Sequence, residues 1–131
     1  MREILFRGKR VDNTEWVEGF YVNVPEHYKQ EMSGKSYIVS INNGLFMEVV
    51  HESVGEYTGL TDKNGERIFE GDIIQYDKDG ALYEIVFVKE GGKTQFCSKF
   101  ILDGSLGYVN EGRDKVIGNI HDNPELLKVI R

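Results

Sequence analysis

Residues 54–74 read VGEYTGLTDKNGERIFEGDII, and this stretch decides the fold class. Asp62-Lys63-Asn64-Gly65 is a turn, because Asp and Asn side chains bond their own backbone and Gly accepts the positive φ of a tight reversal. Glu70-Gly71-Asp72 then leads into Ile73 and Ile74, a bend feeding a buried strand of the kind found in small β-barrels. Gly71 is expected to take a positive-φ or bulged conformation that disfavours a Cβ. A branched side chain there should cost more than one at Gly91, which sits in a looser turn. Asp72, at the strand start, is expected to accept backbone N–H bonds from the turn before it.

Outward from this block the chain alternates between strand-like runs and turn signals. Residues 3–7 and 16–24 form an N-terminal hairpin about Asp12-Asn13, with Trp16, Phe20, Val22 and Val24 on one face. Residues 25–35 are polar, and Pro25 opens either a short helix reaching Met32 or a helical turn in a long loop. Asn42-Asn43-Gly44 joins strands at 36–41 and 45–50, since both residues of an Asn-Gly turn tolerate positive φ. Residues 72–76 and 81–89 flank Asp77-Lys78-Asp79-Gly80, and apolar residues on both faces of 81–89 mark a central strand. Glu90-Gly91-Gly92-Lys93 turns the chain into 94–102. A polar, mobile loop fills 103–115 and a last strand 115–120. Asn123 is expected to cap a short C-terminal helix with Pro124 at its first position and Glu125 on the dipole, docked by Leu126, Leu127 and Ile130. The organisation expected is an N-terminal β lobe over 1–52 and a barrel region with its helix over 53–131, as separate lobes or as one compact unit. The turns at 8–19 and 59–71 echo one another, which convergent turn chemistry explains without a repeat.

Composition agrees with an all-β reading. Fifteen Gly against two Pro suits many tight turns, and seven Tyr with seven Phe favour pleated surfaces. The net charge of −6 and pI of about 5.1 repel a phosphate backbone and disfavour nucleic acid. The small basic cluster of Arg2, Arg7, Lys9 and Arg10 reads as a solvated strand end. One cysteine, Cys97, excludes an internal disulfide and reads as a buried packing residue. No signal-peptide core or membrane-length apolar run is present, so a cytoplasmic location is expected.

Chemistry-bearing patterns are missing. His27, His51 and His121 fall in no paired metal-ligand spacing. The Asp62 and Asp77 loops fail the calcium-loop pattern, which needs Gly at the sixth place and Glu at the twelfth. There is no nucleophile elbow, P-loop or dinucleotide fingerprint. Glu70 and Asp72 are an acidic pair of the kind that arises by chance among 22 acidic residues. No catalytic residue, metal ligand or cofactor site is therefore assigned.

Three blocks, REILFRGKR with Trp16-Val17-Glu18-Gly19, the central 54–74 stretch, and VIGNIHDNPELL, together resemble the YopX family of phage and prophage proteins. The resemblance implies a mainly β protein whose second half is a small SH3-like barrel, with no established activity and no cofactor. Tyr57, Gly59, Asp62, Gly65, Gly71 and Asp72 match its central pattern and read as structural. The function implied is a non-enzymatic cytoplasmic module that binds a host or phage protein, with homo-oligomerisation left open. The alternatives are a nucleic-acid-binding small barrel, against which the acidic charge stands, and an enzyme with a site built from distant loops.

Overall fold

A computed structural model describes residues 3–27, 31–90 and 92–128. Arg2, residues 28–30, Gly91 and Ile130 lie outside the described residues, so the expectations resting on them have no structural counterpart. Among the described residues the period-2 runs become eleven strands: β1 (Phe6–Lys9), β2 (Trp16–Asn23), β3 (Ser36–Ser40), β4 (Phe46–Val49), β5 (Gly55–Thr61), β6 (Arg67–Phe69), β7 (Asp72–Gln75), β8 (Leu82–Glu90), β9 (Lys93–Phe100), β10 (Leu106–Tyr108) and β11 (Lys115–Asn119). They form one sheet in the order β4-β3-β2-β1-β5-β6 and another in the order β10-β9-β8-β7-β11. Two units divide the chain, Met1–Tyr57 and Thr58–Arg131, with β5 running across the boundary.

In the first unit the sheet curls until β1 and β4 meet at a single bridge, Arg10↔Val49. Val11 N–H donates to the Glu48 carbonyl and Val50 N–H to that of Lys9. The curl depends on two missing side chains. A Cβ at Gly19 would lie 1.9 Å from the Val39 carbonyl oxygen, and one at Gly8 would lie 2.9 Å from the Val49 side chain. Ile38 and Val49 are buried.

In the second unit Ile68, Ile74 and Ile85 are fully buried, with Tyr83, Val109 and Val116 packed against them. Gly71 has φ 91°. The chain leaves β6 of one sheet there and enters β7 of the other, a bend that turns a corner between sheets. Its N–H bonds the Ile85 carbonyl, and its own carbonyl accepts from Ile120.

Two expectations fail. Beyond that single bridge in the first unit neither sheet closes, and the second half is no SH3-like barrel: β10 and β11 are opposite edges of the five-stranded sheet. Closure needs a long-range pairing between first and last strands, and β10 is only three residues, all exposed. Alternation and turn residues specify hairpins, which are local, and carry no signal for that pairing. Nor is there a C-terminal helix among the described residues. Residues Pro124–Leu127 make one 3₁₀ turn without a side-chain cap, because the Asn123 carboxamide oxygen accepts the Asn119 N–H at 3.2 Å instead. The 103–115 segment carries β10 rather than a plain loop, and the described part of 25–35 holds no helix. In the Asn42-Asn43-Gly44 turn Gly44 takes positive φ and Asn43 does not, and the Ser40 N–H closes the loop on the Leu45 carbonyl.

Candidate functional site

The residues of the central block are set on or beside β5, β6 and β7. Asp62, 2% exposed, closes the turn after β5. Its Oδ1 accepts the N–H groups of Asn64 and Glu66 at 2.8 and 2.9 Å, and its Oδ2 accepts that of Val116 in β11 at 3.0 Å. Burial alone pushes the Asp62 carboxyl up, yet the three N–H donors on Val116, Glu66 and Asn64 outweigh it and hold the group below the ordinary carboxylate value. Gly65 sits in that turn at φ 80° and Gly59 in β5 at φ 89°. Asp72, 1% exposed, accepts the Phe69 N–H at 2.7 Å. Tyr57 is buried in the other half of β5.

Sequence reading missed the partner of this turn. Asp114 is fully buried and its carbonyl accepts the Lys63 N–H at 2.9 Å. Arg113 grips the Asp114 carboxylate through Nε and Nη2 at 2.9 and 3.0 Å while lying over the Tyr76 ring at 4.3 Å. Lys63 Nζ meets Asp77 at 2.6 Å. Every one of these contacts joins residues that are neighbours in the fold and distant in the chain, apart from Arg113–Asp114. The Asp62 carboxylate is spent on backbone amides and that of Asp114 on one guanidinium, which suits holding a turn to a strand.

A second polar group was equally invisible, its members being 15 to 30 residues apart. The His51 Nδ1 lies 3.0 Å from Ser36 Oγ and 3.2 Å from the Tyr21 hydroxyl. Ser36 is 4% exposed, too deep to meet a substrate carbonyl, so this network ties the turn after β4 onto β2 and β3. Among the described residues no group of three or more His, Cys, Asp and Glu is arranged to hold a metal, and none of the described helices is long and apolar enough to cross a membrane.

Among the described residues one hairpin leaves backbone edges without a paired strand. β8 and β9 pair over their whole length, from Tyr83↔Phe100 to Glu90↔Lys93. Their sheet neighbours are much shorter: β7 covers only Leu82–Glu84 of β8, and β10 only Cys97–Lys99 of β9. Beyond Ile85, whose carbonyl takes the Gly71 N–H, the hairpin runs on as a two-stranded arm roughly 15 Å long at about 3.3 Å per residue. The bond from Ile101 N–H to the Leu82 carbonyl fixes the alternation. Counting in twos, Val86, Val88 and Glu90 exchange bonds with β9, so Phe87 and Lys89 turn their N–H and C=O groups off the outer edge. Thr94 and Phe96 do the same on the β9 side. No described strand pairs with either edge there. Phe87 and Phe96 stack edge-on at 4.8 Å on one face of the arm, with Phe87 43% exposed.

Two open antiparallel sheets, with buried carboxylates bonded to turns and a long β8–β9 hairpin, define an all-β protein. The family model described as YopX protein matches residues 5–128. The chain belongs to the YopX family. Among solved structures it is similar to the crystal structure of protein EF1440 from Enterococcus faecalis, at 27% identity over 98% of this chain and 100% of that one, with a TM-score of 0.56. No curated protein matches it.

Proposed function

We propose that this YopX-family chain is a non-enzymatic binding module of the bacterial cytoplasm that takes up another polypeptide by strand addition along the β8–β9 arm. One observation carries the reading: two edges of outward-facing backbone, at Phe87 and Lys89 and at Thr94 and Phe96, that no described strand covers. Uncovered edges are templates for a further strand, with main-chain bonds supplying affinity and alternate side chains supplying selectivity. In the same reading Tyr57, Gly59, Asp62, Gly65, Gly71 and Asp72 serve the fold that supports the arm and touch no ligand. Duplex nucleic acid is a poor fit to a chain of net charge −6.

The test replaces Lys89 and Thr94 with Pro. Both N–H groups point off the arm, so the double variant keeps the bonds between β8 and β9 while losing one outward donor on each edge. The tagged protein and the variant are compared for capture from a bacterial lysate, with circular dichroism as the check on folding. Loss of the captured polypeptide in the folded variant is expected. Equal capture by both would end the strand-addition reading.

A further inference from the structure

We infer that the β8 edge of the arm pairs with the same edge of a second copy, antiparallel about a twofold axis at Val88. The inference rests on the strand-addition reading and names its occupant. Phe87-Val88-Lys89 is self-complementary under that symmetry. Phe87 and Lys89 both turn their backbone groups outward, so Phe87 of one copy exchanges two N–H···O=C bonds with Lys89 of the other, and the symmetric pair exchanges two more.

The side chains agree with this register. Phe87 and Lys89 share the face on which Phe87 meets Phe96, and pairing sets each Lys89 ammonium beside a Phe87 ring of the second copy, a favourable cation–aromatic neighbour. On the opposite face Val88 meets Val88, a β-branched cross-strand pair. Across Phe87, Val88 and Lys89 no like charges lie opposite one another, although the whole chain carries −6. The β9 edge does not offer the same arrangement. A second β9 pairing about Gln95 would bring its Lys93 opposite Cys97, the position that Tyr108 of β10 already holds. On the β8 edge the neighbour β7 stops at Glu84, which leaves room for five residues of a second strand.

Two charge variants at the axis separate this occupant from any other. Val88→Lys and Val88→Glu each place two like charges face to face in the pair. Analytical ultracentrifugation of the wild-type chain is expected to show mass rising with concentration from 15.0 kDa to twice that. Each Val88 variant alone should stay monomeric, and an equal mixture of the two should recover the dimer, which also demonstrates that both are folded. Lys89→Pro should abolish the dimer while Thr94→Pro leaves it intact. A wild-type chain that remains monomeric at millimolar concentration, or a mixture that fails to associate while the wild type does, would overturn the inference. In that case loss of lysate capture in Thr94→Pro would keep strand addition alive with a different occupant, and unchanged capture in both proline variants would remove both.

Discussion

Both units use glycine at close approaches, but they differ in the polar groups they bury. The first curls its sheet by leaving atoms out, at Gly8 beneath Val49 and at Gly19 beneath the Val39 carbonyl. Its buried polar side chains are the hydroxyls of Ser36, Ser40 and Ser53, whereas the second unit buries the carboxyls of Asp62, Asp72 and Asp114. A sheet can thus be bent by a steric vacancy or by pinning a loop with a charge that gathers backbone donors. The first device is indifferent to pH and intolerant of any added atom. The second depends on an ionised group.

The comparison breaks most sharply at Gly19. An Ala Cβ there meets backbone, 1.9 Å from Val39 O and 2.7 Å from Val39 C, and backbone cannot swing aside. Gly19→Ala should cost about 3 kcal/mol, the upper end of ordinary overpacking, read as a lowered urea midpoint. Gly107→Ala in the second unit meets only Ser98 Oγ at 3.4 Å and should move the midpoint little. Equal effects would mean that the first sheet relaxes around the extra carbon and that its curl is not set by the missing side chain.

Asp62→Asn probes the other device. The amide oxygen still accepts from Asn64 and Glu66, but an NH₂ group now faces the Val116 N–H, donor against donor. The loss should be about 2–3 kcal/mol, the scale of a hydrogen bond to a charged group together with an unsatisfied buried donor. A wild-type midpoint would show that the turn holds β11 without its carboxylate.

Acid should then separate the units. The Asp62 carboxyl is held below its ordinary value in the fold, so its stabilisation is present above the unfolded value of about 3.9. It is lost as pH falls from there through the lower folded value. Asp12 in the first unit is also held low, chiefly by its bond to Arg10, yet it is exposed and a surface pair of this kind contributes little. The amide signal of Val116 should therefore collapse at higher pH than the fluorescence of Trp16, which lies in the first unit. Simultaneous loss of both signals would show that the buried carboxylates do not set the acid limit of the second unit.

How much of this was legible follows from the range of each interaction. Asp79-Gly80 and Asn43-Gly44 announce their hairpins because the turn chemistry lies within six residues. The Asp72–Phe69 bond spans three residues and was likewise readable. The bond from Val116 to Asp62 spans 54 residues, and no local pattern pairs them. The strands of the arm were visible as alternation, but an arm is defined by where its neighbours stop, and β7 meets β8 only from the Gly71 bend onward, where the Gly71 N–H bonds the Ile85 carbonyl 14 residues away. Asn123 was misread for a related reason: its carboxamide suits a helix cap and a turn equally, and the nearby Asn119 N–H decides between them.

The smallest expected effect lies in a loop that both units share. Four hairpins close alike: a residue donates to the carbonyl five places on, and an Asn or Asp oxygen accepts the N–H two places ahead. The closing bonds are Arg10 to Glu15, Ser40 to Leu45, Tyr76 to Ala81 and Phe100 to Ser105, at 2.8–2.9 Å. The side-chain acceptors are Asn13, Asn43, Asp79 and Asp103. The residue after each acceptor takes positive φ, at 71° for Gly44, 71° for Gly80 and 75° for Gly104, but at 60° for Thr14. A β-branched residue in this conformation carries a steric penalty of about 1–2 kcal/mol. Thr14 recovers part of it through its hydroxyl, which donates to the Asn13 carbonyl at 2.6 Å. Glycine would remove the clash and return roughly 0.5–1 kcal/mol as unfolded-chain entropy. Thr14→Gly should therefore raise the urea midpoint slightly, by about 0.5 kcal/mol, within the range of compatible-site glycine and proline changes. Gly80→Thr should lower it by more, since it adds the same strain without a gain already fixed in the surrounding loop. A lower midpoint for Thr14→Gly would mean that the hydroxyl contact outweighs the backbone strain, and that the shared geometry of the four loops hides different energetics in the two units.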